Sequence, residues 1–120
     1  MRVGSPEIAR AKTMKAMGFP WRPRVGDWFV NHTGYCEFVS SLQHASVLGG
    51  NGNAFLPSWS DCREWLATRG WGDPEFRDED GCVGIFVTHR NGRILYARGV
   101  SDLDCLYQII LQILFKVSER

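Results

Sequence analysis

An α+β fold built on a mainly antiparallel sheet is what this sequence predicts, and three observations carry the expectation. Two short apolar runs, DWFV and YCEFV, flank the turn-forming NHTG, and a longer pair, GCVGIFVTHR and GRILYARGV, meets at Asn91-Gly92. Around these hairpins lie segments with helical caps and helical apolar spacing. The expected order is α-β-β-α-β-β-α, with about four strands in two hairpins and the helices packed on one sheet face.

The first helix is expected to open at Ser5 as N-cap, with Pro6 at the first helical position, Glu7 at the positive end of the dipole and Gly18 as the stop. Its apolar face, Ile8, Ala11, Met14 and Met17, is thin. Pro20 and Pro23 then hold the chain extended through an arm that ends near Arg24. A strand over about Asp27 to Val30 and a second at YCEFV follow. Residues 40–57 read as a long Gly/Asn-rich loop with a short helical turn near Leu42 to Leu48. The central helix is marked by the S-x-x-D start of Ser58 and Asp61, by Trp59, Cys62, Trp65 and Leu66 on one face, and by Gly70 at its end. The acidic WGDPEFRDED reads as a solvated loop.

Asn91-Gly92 is the preferred pair for a two-residue type I′ turn. That turn sets Arg90 against Arg93, His89 against Ile94 and Val87 against Tyr96. One face then carries Val83, Ile85, Val87, His89, Ile94, Tyr96, Arg98 and Val100 and is expected to be the core face; the other carries Phe86, Thr88, Leu95 and Ala97, flanked by Arg90 and Arg93, a second candidate docking surface. The last helix starts at Ser101, with Asp102 and Asp104 in its first turn. Leu103, Leu106, Ile110, Ile113 and Val117 form its main stripe, flanked by Tyr107 and Leu114, and Asp104, Gln108, Gln112 and Lys116 its wet row. Ile109, Leu111 and Phe115 are left over. A helix apolar nearly all round is buried on two sides, so these three are the candidate interface of a homodimer; the competing expectation is that another helix of the same chain, the first for example, covers them.

With 120 residues, 44% hydrophobic, 22% charged and a net charge of +1, the chain fits one small domain, 1–120, with no global field toward nucleic acid or an anionic membrane. Charge is uneven along it. Residues 1–24, the basic N-terminal helix and Pro-containing arm, hold six basic side chains and one acid, whereas 61–80 hold three basic and seven acidic ones. No leader or membrane span is read from the sequence, so the expected location is cytoplasmic.

Four cysteines without a C-x-x-C pair read as free thiols, mostly buried, with no metal site and no cofactor. Cys36 with His32 is the candidate catalytic pair, since an imidazole beside a thiol can generate a thiolate. Trp21, Arg22 and Arg24 set an aromatic ring among cations, a composition that suits a nucleic acid or another partner. GGNGN lacks the spacing of a phosphate loop. The architecture, a hairpin followed by an amphipathic C-terminal helix, is similar to that of many small bacterial and phage proteins, which names no family. The expected function is therefore a non-catalytic binding or adaptor module that self-associates through its last helix, with an unidentified protein partner. The alternatives are a small enzyme or thiol-dependent protein using Cys36 and His32, a ligand cleft under the 40–57 loop, and a weak nucleic-acid binder using the arm.

Overall fold

A computed structural model describes residues 3–48 and 52–118, side chains 78, 79, 117 and 118 excepted. Residues 49–51 of the GGNGN run, and the side chain assigned to the last helix's stripe at Val117, lie outside the described residues. The fold is α+β, and the described residues form four helices and two three-stranded antiparallel sheets. The order is α1 (Ser5–Ala16), β1 (Trp28–Val30), β2 (Cys36–Phe38), α2 (Leu42–Ser46), β3 (Ala54–Leu56), α3 (Trp59–Thr68), β4 (Glu75–Glu79), β5 (Cys82–Thr88), β6 (Ile94–Gly99) and α4 (Asp102–Ser118). The four-strand, two-hairpin layout is thus corrected to six strands in two sheets.

Each of the two unexpected strands extends an expected hairpin. β3 emerges from the 40–57 segment and pairs with β1, Val30 opposite Ala54 and Trp28 opposite Leu56, which makes β1 central in the order β2-β1-β3. β4 emerges from the acidic stretch and pairs with β5 through a two-residue Asp80-Gly81 turn, Glu79 opposite Cys82. Both turn residues have positive φ, 42° and 80°, as a type I′ turn requires.

The β5–β6 register also departs from expectation. Val87 faces Leu95, Phe86 faces Tyr96 and Ile85 faces Ala97, one residue away from the pairing that a two-residue turn sets. His89 pairs with Arg93 and Gly92 N–H donates to His89 C=O, so the loop holds three residues, with only Gly92 at positive φ. That slip leaves β5 as expected but reverses β6. Ala97 is buried at 5% exposure, whereas Ile94 is 60% exposed, and Leu95 packs against the core. The face opposite the core therefore carries Phe86 and Thr88 with Ile94 and Tyr96, not with Leu95 and Ala97.

α4 occupies the middle of the molecule, in contact with β5, β6, α1 and α3. Its residues Cys105, Leu106, Tyr107, Ile109 and Ile110 are all at 0% exposure, in one core with Val30 and Leu56 of the first sheet and Ile85 and Val87 of the second. Cover on several sides explains why the helix is apolar around most of its girth. Each junction is also fixed by polar contacts: Tyr107 Oη donates to Pro57 C=O at 2.6 Å, Trp59 Nε1 to Asp102 at 3.0 Å, and Ser101 Oγ to buried Glu7 at 2.7 Å.

The expected wet row of α4 is corrected at Asp104, only 2% exposed. Its carboxylate accepts from Arg10 Nε (3.2 Å), from Val100 N–H (3.1 Å) and from Gln108 (3.2 Å). Gln108 also donates to Arg98 C=O and Gln112 to Tyr96 C=O. Gln108 and Gln112 thereby engage alternate backbone carbonyls of β6, an edge strand, with Asp104 on the next residue after it, and they occupy bonds that an added strand would otherwise take.

Helix termini follow the expected chemistry with one shift. The Ser58/Asp61 capping box forms, and Gly70 ends α3 at φ 87°. α1 is capped at Gly4 rather than Ser5, because the Glu7 carboxylate reaches back to the Gly4 N–H and leaves Ser5 inside the first turn.

Candidate functional site

Two of the three residues expected at a subunit interface reach the surface together. Leu111 and Phe115 line a groove of about 350 Å³ between α1 and α4, closed by Met17, Thr13, Arg10 and Gln112. Phe115 is 57% exposed and Leu111 half-buried. Ile109 is corrected: at 0% exposure it belongs to the chain's own core and offers no area to a partner. The competing expectation, cover by elements of the same chain, holds for that residue. α1 ends at Ala16, and Thr13 and the following Met17 border Leu111 and Phe115 without closing over Phe115.

The groove's rim carries little unbalanced charge. Arg10 is paired with Asp104 at 3.2 Å, and Thr13, Gln108 and Gln112 are neutral. Glutamine carries both a donor and an acceptor, so such a rim can meet a copy of itself without like-charge repulsion.

The arm residues lie against the body of the protein. Trp21 stacks on Phe55, centroids 5.3 Å apart and planes within 4°, and its Nε1 donates to Asp27 at 3.1 Å. Arg24 forms ion pairs with Asp61 at 3.0 Å and Asp27 at 3.5 Å, and Asp27 first, then Asp61, holds its guanidinium above the ordinary range. Arg22 is exposed beside them. With Phe19, Trp65, Phe55, Asp61 and Glu64, the three arm residues line an aromatic groove of about 380 Å³ that contains carboxylates as well as cations. For a polyanion this is a weaker site than the sequence suggests, because the charge of Arg24 is already matched.

Cys36 sits half-buried at the start of β2 and His32 lies exposed in the preceding turn. Burial pushes the Cys36 thiol up, the reverse of what thiolate activation needs. Cys62 and Cys105 are buried, Cys82 is exposed, and all four thiols are free. Burial raises Cys62, with Asp61 adding to it, and raises Cys105 to about 11. Among the described residues no group of three His, Cys, Asp or Glu side chains is placed to hold a metal ion, and no helix is long and apolar enough to cross a membrane.

No protein-family model, no curated protein and no solved structure matches this chain. The residues themselves carry the functional argument.

Proposed function

We propose that this chain is a non-catalytic binding or adaptor module of the cytoplasm that forms a homodimer through the outer end of α4. One observation carries the reading: Phe115, 57% exposed, closes an apolar groove with Leu111 and Met17, on a helix whose other described apolar positions are buried or half-buried. The occupant is the same groove of a second copy, since the rim is near neutral and self-complementary. Covering what remains exposed of Phe115 is worth about 1.5 kcal/mol per copy. A reducing compartment is favoured by four thiols without a disulfide, with Cys82 exposed.

Sedimentation velocity at about 10 μM tests the reading. The wild-type chain is expected as a dimer and Phe115→Glu as a monomer with an unchanged circular dichroism spectrum. A monomeric wild type, or a Phe115→Glu protein that remains dimeric, overturns it.

A further inference from the structure

A second pocket, of about 400 Å³, opens where three separate elements meet: the end of α3 at Arg69, the β5–β6 turn at Arg93, and the last turns of α4 at Lys116. No acidic side chain lines it among the described residues. Arg69, Arg93 and Lys116 are all exposed, and among the described residues none of them forms an ion pair within 4.0 Å. Cations gathered on one concavity with no carboxylate among its described lining residues repel one another and attract an anion into it.

The pocket is also held in shape. Trp71 and His89 form a β-bridge, Arg90 N–H donates to Gly70 C=O at 2.9 Å, and Gly72 N–H donates to Thr88 C=O at 2.8 Å. The His89 ring joins the two sides: Nε2 faces Arg69 C=O at 2.9 Å, so it must donate, and Nδ1 faces Asn91 N–H at 3.1 Å, so it must accept. Gly70 permits the close approach, since a Cβ there would lie 2.8 Å from His89 Nε2. Arg69 is fixed over the Trp65 ring at 3.8 Å and donates to Trp65 C=O. Burial lowers its pKa, a cost that an anion alongside offsets. A cation placed in advance, as Arg69 is, loses little freedom when the ligand arrives.

We propose that this pocket binds a phosphate monoester of a small organic group. Three cations match a dianion better than a monocarboxylate, and arginine forks fit phosphate oxygens two at a time. Ile113 and the edge-to-face Trp71–His89 pair, of which His89 is half-buried, supply a wall for the organic part. The proposal does not rest on self-association, as the pocket shares no lining residue with the groove at Phe115.

The test is titration of the whole protein, by calorimetry and by tryptophan fluorescence, with adenosine monophosphate, inorganic phosphate, and a short single-stranded oligonucleotide lacking a terminal phosphate. Adenosine monophosphate is expected to saturate the protein and to bind more tightly than inorganic phosphate. In Arg93→Glu/Lys116→Glu that binding falls at least about tenfold, whereas Lys12→Glu/Lys15→Glu, with the same change in net charge, retains it. The milder Arg93→Gln/Lys116→Gln gives a smaller loss and guards against misfolding of the charge reversal. No saturation by adenosine monophosphate at about 10 mM, binding unaffected by the double reversal, or tighter binding of the oligonucleotide each overturns the proposal.

Discussion

Two turns flank β5, and both end in glycine after a residue that tolerates positive φ. Asp80-Gly81 is a two-residue loop with both φ values positive, whereas Asn91-Gly92 is the second part of a three-residue loop in which only Gly92 is left-handed. The difference arises outside the dipeptides. Arg90 N–H is bonded to Gly70 C=O and His89 to Arg69 C=O, so Arg90 is drawn toward the end of α3 and is not free to face Arg93. Asn91 Oδ1 then accepts from Arg93 N–H at 2.9 Å and completes the wider loop. At Asp80-Gly81 the two positive φ values are met inside the dipeptide, and a Cβ at Gly81 would find open space. A turn dipeptide thus marks where a hairpin bends, and its surroundings choose how many residues bend with it.

The largest effect expected from this comparison lies in β6. With the three-residue loop Ala97 is inside and Ile94 outside, so Ala97→Asp is expected to cost about 3 kcal/mol through an unpaired buried charge, and Ile94→Asp less than about 0.5 kcal/mol. Urea denaturation of the two variants decides it; the reverse ranking restores the two-residue register.

A second, smaller effect concerns the inner face of β5. Cys105 Sγ donates to Val83 C=O at 3.3 Å, and burial raises its thiol from 9.0 to about 11. Below about pH 9 this thiol is protonated in both states and its contribution is constant. Above that, the unfolded chain loses the proton first, so stability falls as pH rises toward the folded value of about 11. Thermal melts across that window are expected to decline in wild type and to decline less steeply in Cys105→Ala; equal slopes contradict this role for the thiol.

The turns themselves should give the smallest changes. Gly92→Ala places a Cβ at φ 94° in open space, so strain alone acts, about 1 kcal/mol. Asp80→Gly removes a left-handed non-glycine residue, and a gain of a few tenths of a kcal/mol is expected. Chemical denaturation of both variants shows whether the turns differ in strain as their φ values imply.

Much of the fold was legible where local chemistry and tertiary packing agree. Ser58, Asp61 and Gly70 bound α3, and the apolar alternation of Val83, Ile85 and Val87 marks β5. β3 was not legible because three apolar residues after a Gly/Asn run have no period of their own; they become a strand only by pairing with β1. β4 was hidden by its charges, since EFRDE reads as solvated until it forms the outer edge of a sheet. Of the candidate site, Phe115 and Leu111 were visible as surplus on a helical wheel, but Ile109 has the same character and only its burial in the chain's own core distinguishes it. The cationic pocket was invisible, because Arg69, Arg93 and Lys116 are each an ordinary surface residue until three distant elements converge.

By itself the sequence determined which segments bend, where α3 and α4 begin, and that α4 must be covered on more than one side, because caps, turn residues and apolar periodicity act over a few neighbouring positions. The tertiary structure alone decided the parity of β6, the division of α4 into covered and open apolar residues, and the gathering of cations at one concavity. Each of those depends on a contact between segments far apart in the chain, such as Arg90 with Gly70 or α1 with α4, and no local pattern carries the energy of such a contact.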